Sequence, residues 1–179
     1  MSEDLFSIRK ASEADMNDIM SIVHEAIPIL HATGNYQWDE NYPQDIHFRK
    51  DIGLEELYVA VHVKSGVLAG VGAVTTDQPD DFIEAGVDVT ELAIVPHRVA
   101  VSPKYRGQGI AQKLIQKAED VAREKKIPLL RIDTNVVNLT MLHIFKKLGY
   151  IYLGEFSFKE KPTTYGKMRF CCFEKRLSL

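Results

Sequence analysis

Cysteine is almost absent: 179 residues carry two, adjacent at Cys171 and Cys172. Neighbours along an extended strand point to opposite faces, so the pair reads as two free thiols, and a disulfide-scaffold class is excluded. Long apolar runs are missing too. Val67 to Val74 is broken by Gly70 and Gly72 and falls far short of a membrane span. The opening MSEDLFSIRK lacks the apolar core of a secretory signal, so the expectation is a cytoplasmic chain with no membrane association. There is no basic excess either: 22 Lys and Arg against 25 Asp and Glu leave a net charge of −3. That disfavours nucleic acid, whose binders neutralise phosphates with clustered cations. What remains is an ordinary globular composition, 45% hydrophobic and 26% charged, long enough for a single domain over 1–179.

Hydrophobic periodicity orders the elements. Phe6 and Ile8 alternate with polar neighbours as a half-buried strand. Ser12 with Asp15 resembles a capping box, and Met16, Ile19, Met20, Val23, Ile27 and Leu30 then keep helical spacing through Pro28. The segment NYQWDENYPQD is loop chemistry carrying large aromatics, and a short helix over Ile46–Ile52 follows it. Leu57–Val63 and Val67–Thr75 flank a Lys-Ser-Gly turn as a hairpin. After a stretch of six acids between Asp77 and Glu91 comes the apolar run LAIVPHRVAV, where Pro96 predicts a bulge or a sheet edge because proline cannot donate to the ladder. An amphipathic helix begins at Ile110, a strand spans Leu129–Asp133, a helix spans Asn138–Leu148, and two strands close the chain. The order β-α-α-β-β-β-α-β-α-β-β is mixed α/β with one β-α-β unit.

The sharpest feature is VAVSPKYRGQGIAQKL, residues 99–114, a strand, a turn and the start of the best helix. Gly107 and Gly109 permit close backbone approach, and first-turn helix amides have no intrahelical partner, which together make an anion cradle. A tight strand-to-helix turn accounts for the same glycines equally simply. No Gly-x-x-x-x-Gly-Lys-Ser/Thr is present, and Gln112 replaces the third glycine of the dinucleotide fingerprint. A phosphotransferase reading finds neither its lysine nor its metal ligands.

Arg106, Gly109 and Ala111 following an Ala-Val-x-Pro strand end resemble the Arg/Gln-x-x-Gly-x-Gly/Ala signature of the GNAT acetyltransferases. Arg131-Ile132-Asp133-Thr134, Asn138 and Lys146 to Tyr150 are similar to that family's second cofactor segment. Ile8 to Ala11 resembles its first strand, and Gln37-Trp38, Tyr42-Pro43 and His97-Arg98 resemble a branch of small bacterial members. The resemblance implies a mostly antiparallel sheet that splays between two parallel strands, flanked by helices. It implies acetyl-CoA as cofactor, with Val99, Ala100 and Val101 along the pantetheine arm and Arg106, Gly107, Gln108, Gly109, Ile110 and Ala111 around the pyrophosphate. Asn138 is expected on the pantetheine or phosphate side, and equally as the N-cap of its own helix. A homodimer is common among such proteins.

Acetyl transfer to an amine needs a neutral nitrogen, and a lysine-like ammonium costs about 4–5 kcal/mol to deprotonate at pH 7. His97 is the first candidate base, since it lies on the thioester strand and imidazoles titrate near neutrality. A histidine bonded to backbone for structural reasons fits that position as well. Glu91 is a weaker candidate at the end of the acidic loop, and Asp133 reads as a cap for the turn after its strand. The other histidines show no metal-ligand spacing and read as surface or packing residues, so no metal is expected. Seven residues after Asn138, where many members of the family carry a tyrosine thought to protonate the thiolate, stands Phe145. Trp38, Tyr42 and Tyr165 are expected to wall an acceptor pocket, although Trp38 also fits a plug over the core. The expected activity is acetyl transfer to a primary amine of a small molecule or protein by direct attack. The alternative is a non-catalytic acyl-CoA sensor or interaction module on the same fold, which Phe145 keeps open.

Overall fold

The computed structural model describes residues 4–160 and 165–179. The elements are β1 (Phe6–Lys10), α1 (Met16–His31), α2 (Asp45–Gly53), β2 (Leu57–His62), β3 (Leu68–Thr75), β4 (Val95–Val101), α3 (Ile110–Lys125), β5 (Leu129–Asn135), α4 (Leu139–Lys147), β6 (Ile151–Phe156) and β7 (Phe170–Arg176). Their order is the one the periodicity predicts. They form two antiparallel sheets, β1-β2-β3-β4 and β5-β7-β6. The sheets meet at a single parallel bridge between Ile94 and Leu130, closed by Ile94 N donating to Leu129 O at 2.8 Å and Arg131 N to Ile94 O at 2.9 Å. Beyond it β4 and β5 part.

Helices cover both faces of the first sheet. Asp15 accepts from the Ser12 amide at 2.8 Å and is held by both terminal nitrogens of Arg9, which starts α1 where the capping box predicts. The buried stripe Met16, Ile19, Ile22, Val23 and Ala26 packs with Phe48, Val59, Val71 and Ala73 on one face. On the other face α3 buries Ile110, Leu114, Ile115, Ala118, Val121 and Ala122. The approach is close because β3 has no side chain at Gly70, where a Cβ would lie 2.8 Å from Ile110 Cγ2.

Strand β4 sits at the edge of its sheet and carries the bulge that Pro96 predicts, two residues further on. Ala73 pairs with His97 and Val71 with Ala100, so Arg98 and Val99 together oppose Gly72. Arg98 takes up the extra length at φ +50°. The bulge changes parity, so His97 and Ala100 share the α1 face while Val99 and Val101 pack towards α3.

Behind β5, the buried Arg131 donates to Glu174 at 3.1 Å, to Gln78 at 2.6 Å and to the Asp88 carbonyl at 2.8 Å. This clamps the acidic segment against the second sheet. Both cysteines are free and buried, Cys171 in the main core and Cys172 in a smaller cluster with Phe82 and Phe156. Burial pushes the Cys172 thiol up to about 12. No described helix is long and apolar enough to cross a membrane.

Candidate active site

The parting of β4 from β5 opens a cavity of about 740 Å³ whose walls come from both faces of the sheets. On the α3 side Val99, Val101, Arg106, Gly107, Gly109, Ile110 and Ala111 line it. Gly107 and Gly109 stand at φ +75° and +77°, a left-handed region that side chains rarely adopt. Gly109 is also the N-cap of α3, so no side chain caps that helix. The first intrahelical bond runs from Lys113 N to Gly109 O at 3.0 Å, leaving the amides before it without a partner in the helix. No atom lies within 4 Å of a Cβ built on either glycine. Open amides at a helix N-terminus, with Arg106 and Lys147 on the cavity wall, fit the pyrophosphate of a coenzyme A thioester.

Asn138 caps α4, accepting from Met141 N at 3.4 Å and donating to Thr134 Oγ1 at 3.1 Å, and it lines the same lobe. Phe145 is among the residues around the cavity but is itself fully buried, edge-on to Phe173 at 5.3 Å.

The α1 side is a second lobe. Trp38, buried, and Tyr42 line it beside Ala26, Ile29 and Leu30 of α1. His31 Nε2 lies 2.7 Å from the Trp38 carbonyl, and Gln37 Oε1 accepts from Asn135 N at 3.2 Å, which ties this loop to the tip of β5. His97 lines the lobe, and its Nε2 lies 2.9 Å from the Asp77 carbonyl oxygen. A carbonyl only accepts, so Nε2 carries the hydrogen, and in the neutral ring Nδ1 is the basic nitrogen. Arg98 donates to Asp51 Oδ2 from Nε at 3.1 Å and from Nη2 at 2.5 Å, and to the Tyr42 hydroxyl at 3.4 Å. That pair pins the β4 bulge to α2.

Three expected site residues stand elsewhere. Glu91 is not on the cavity wall: Arg176 holds it through two bonds at 2.9 and 3.0 Å, and this pairing keeps its carboxyl below the usual range. Gln108 is exposed and does not line the cavity. Tyr165 stacks on Tyr36 at 4.3 Å and meets His31 edge-on, away from the cavity lining. Conversely, Asp133 lies inside β5, which runs two residues past the expected end, and it faces the cavity instead of capping a turn. His143, expected at the surface or in packing, lines the α4 side. Among the described residues no group of His, Cys, Asp or Glu is arranged to hold a metal ion.

The acetyltransferase (GNAT) family model matches residues 21–150. The uncharacterized N-acetyltransferase YesJ of Bacillus subtilis is 30% identical over 146 residues, 78% of each chain. An IAA acetyltransferase of Azospirillum brasilense is 28% identical over 108 residues; that match spans 55% of this chain and 63% of the relative. Among solved structures, a GNAT acetyltransferase of Streptococcus agalactiae superposes with a TM-score of 0.78 at 28% identity, covering 97% of this chain and 96% of that one. The fold is also that of yncA of Salmonella typhimurium, solved with its cofactor acetyl-CoA, with a TM-score of 0.72 at 16% identity over 98% and 96% of the two chains. With the splayed strands, the glycine turn and the matched segment in agreement, this chain belongs to the GNAT family of acetyltransferases.

Proposed function

We propose that the chain transfers the acetyl group of acetyl-CoA to a primary amine of a small molecule or peptide, by direct attack and without a covalent enzyme intermediate. One observation carries the reading: a single cavity runs from the glycine turn before α3 to the His97 imidazole on the α1 side, whose Nε2 lies 2.9 Å from the Asp77 carbonyl oxygen. When bound, acetyl-CoA supplies an activated acetyl thioester. The amides of Arg106, Gly107, Gly109, Ile110 and Ala111 hold its pyrophosphate, and the backbone of Val99 to Val101 runs along the pantetheine arm. A backbone amide of that same stretch, aimed by the Arg98 bulge, steadies the negative charge that develops on the carbonyl oxygen. His97 takes the proton of the amine, and Trp38 and Tyr42 wall the acceptor.

Phe145 supports a second reading, an acyl-CoA sensor, because it puts hydrocarbon where the family often has a hydroxyl. A thiol of ordinary pKa near 8.5 leaves tolerably without an acid, which favours the enzyme. Thiol release from acetyl-CoA with putrescine, tyramine, 2-phenylethylamine, L-lysine and a lysine-containing peptide separates the two. Amine-dependent release is expected; tight acetyl-CoA binding with no release from any of the five would favour the sensor.

A further inference from the structure

Strand β4 turns one edge to β3 and the other to the opening, and the ladder decides which backbone groups face each way. Val74 N donates to Glu56 O at 2.8 Å, so even-numbered positions of β3 point to β2 and odd-numbered ones to β4. Val71 and Ala73 accordingly pair with Ala100 and His97, and Ala69 O accepts from Ser102 N at 2.8 Å. Gly72, which Arg98 and Val99 jointly oppose, is directed to Tyr58 of β2. The ladder thus gives Arg98 and Val99 no partner in β3, and both line the cavity.

A buried ion pair stands behind this bulge. Phe48 and Asp51 are the buried residues of α2, three apart and so on one face, and Phe48 packs beside Val59 and Val71. Asp51 is 2% exposed, and its Oδ2 accepts from both Nε and Nη2 of Arg98. A buried carboxylate is costly unless paired, and hydrocarbon of similar volume fills a core at least as well, so stability alone explains the pair poorly. The backbone explains it better. Among the described residues Glu55, Arg98 and Lys126 are the non-glycines at positive φ, and of these Arg98 alone lies in a strand and lines the cavity. Such a conformation persists where the surroundings hold it.

We infer that Asp51, 47 residues away on α2, is a positioning residue for acetyl transfer: it holds Arg98 in the left-handed conformation and thereby turns the backbone N–H groups of the bulge to the carbonyl oxygen of the acetyl thioester. This deepens the acetyl-transfer reading and rests on it for the identity of the ligand. Asp51 does not itself line the cavity, and it acts through Arg98.

Acetyl-CoA carries that carbonyl oxygen and S-ethyl coenzyme A, a thioether of nearly equal size, lacks it, so calorimetric titration with both reads the contact without turnover. The parent should bind acetyl-CoA about threefold or more tightly than the thioether. Asp51→Ala should bring the two affinities level and leave that for coenzyme A within about twofold of the parent's. Arg98→Ala and Arg98→Gly remove the same side chain, but only glycine takes φ +50° without strain. Arg98→Ala should therefore lose the preference and Arg98→Gly should keep most of it, whereas a general loss of packing would move both alike. Circular dichroism checks that each variant is folded, and the two Arg98 variants carry the test should Asp51→Ala fail to fold. An Asp51→Ala protein that keeps the preference, equal preferences in the two Arg98 variants, or a parent with none would overturn the inference. The expected pattern of preferences with no thiol release in the amine panel would instead sink acetyl transfer and leave the positioning role standing.

Discussion

Replacing Gly109 with Val tests the cradle, and the structure supplies both the size of the effect and its control. Gly109 stands at φ +77° with nothing within 4 Å of an added Cβ. The free protein therefore loses only the cost of a left-handed residue, about 1–2 kcal/mol. For a chain of this size that lowers the melting temperature by roughly 2–8 °C. Coenzyme A at about 100 times its dissociation constant stabilises the parent by ~2.7 kcal/mol, a rise of roughly 5–11 °C. In Gly109→Val the isopropyl group would stand in the proposed pyrophosphate site, and most of that rise should vanish. Gly66 is the control: it has φ +71° and equally open surroundings in the β2–β3 turn, and it does not line the cavity. Gly66→Val should show the same loss in the free protein and keep the full coenzyme A shift. Differential scanning fluorimetry of the three proteins, with and without coenzyme A, reads all of this. A full shift in Gly109→Val would place the cofactor elsewhere and refute the cradle.

Three further expectations concern the base, the helix start and the packing. His97→Ala should lower turnover by roughly 10²-fold or more at neutral pH and much less at high pH, where the acceptor is already neutral; equal rates from pH 6 to 9 would make His97 structural. Arg9 and the Ser12 amide hold the Asp15 carboxyl below its ordinary range, so its contribution is present above about pH 4 and lost as pH falls through the depressed folded value. Urea unfolding of Asp15→Asn should thus show a deficit of about 1 kcal/mol at pH 7 that shrinks at pH 3, and a constant deficit would count against the ion pair. Gly70→Ala pushes a methyl to 2.8 Å from Ile110 Cγ2 and 3.0 Å from the Ala100 carbonyl, so chemical denaturation should register a loss of about 1–3 kcal/mol.

Much of this was readable before any coordinates. Element order followed from periodicity because α1, α3 and α4 each keep one apolar face, and the glycine turn was readable because glycine best suits two left-handed positions so close together. The β4 bulge was signalled by Pro96, although the strained residue is Arg98. What escaped depends on partners remote in the chain. Glu91 reads as a candidate base until Arg176, 85 residues away, neutralises it. Asp133 reads as a turn residue because the strand's length is set by pairing with β7, which carries Phe170 opposite Asn135. Tyr165 reads as an acceptor wall, and the stack on Tyr36 that draws it aside has no signature in either local segment.

The single bridge at Ile94 and Leu130 also bears on aggregation. Past it, two strand edges face each other inside the molecule, each with backbone groups that its own sheet does not pair. Such edges ordinarily template neighbouring chains into fibres. Here the two edges wall the cavity between them, and the two hydrogen bonds at Ile94 hold them together at one end. Loosening that one seam would turn a binding slot into two exposed templates, so substitutions at Ile94 or Leu130 should reveal themselves as turbidity before they reveal themselves as lost affinity.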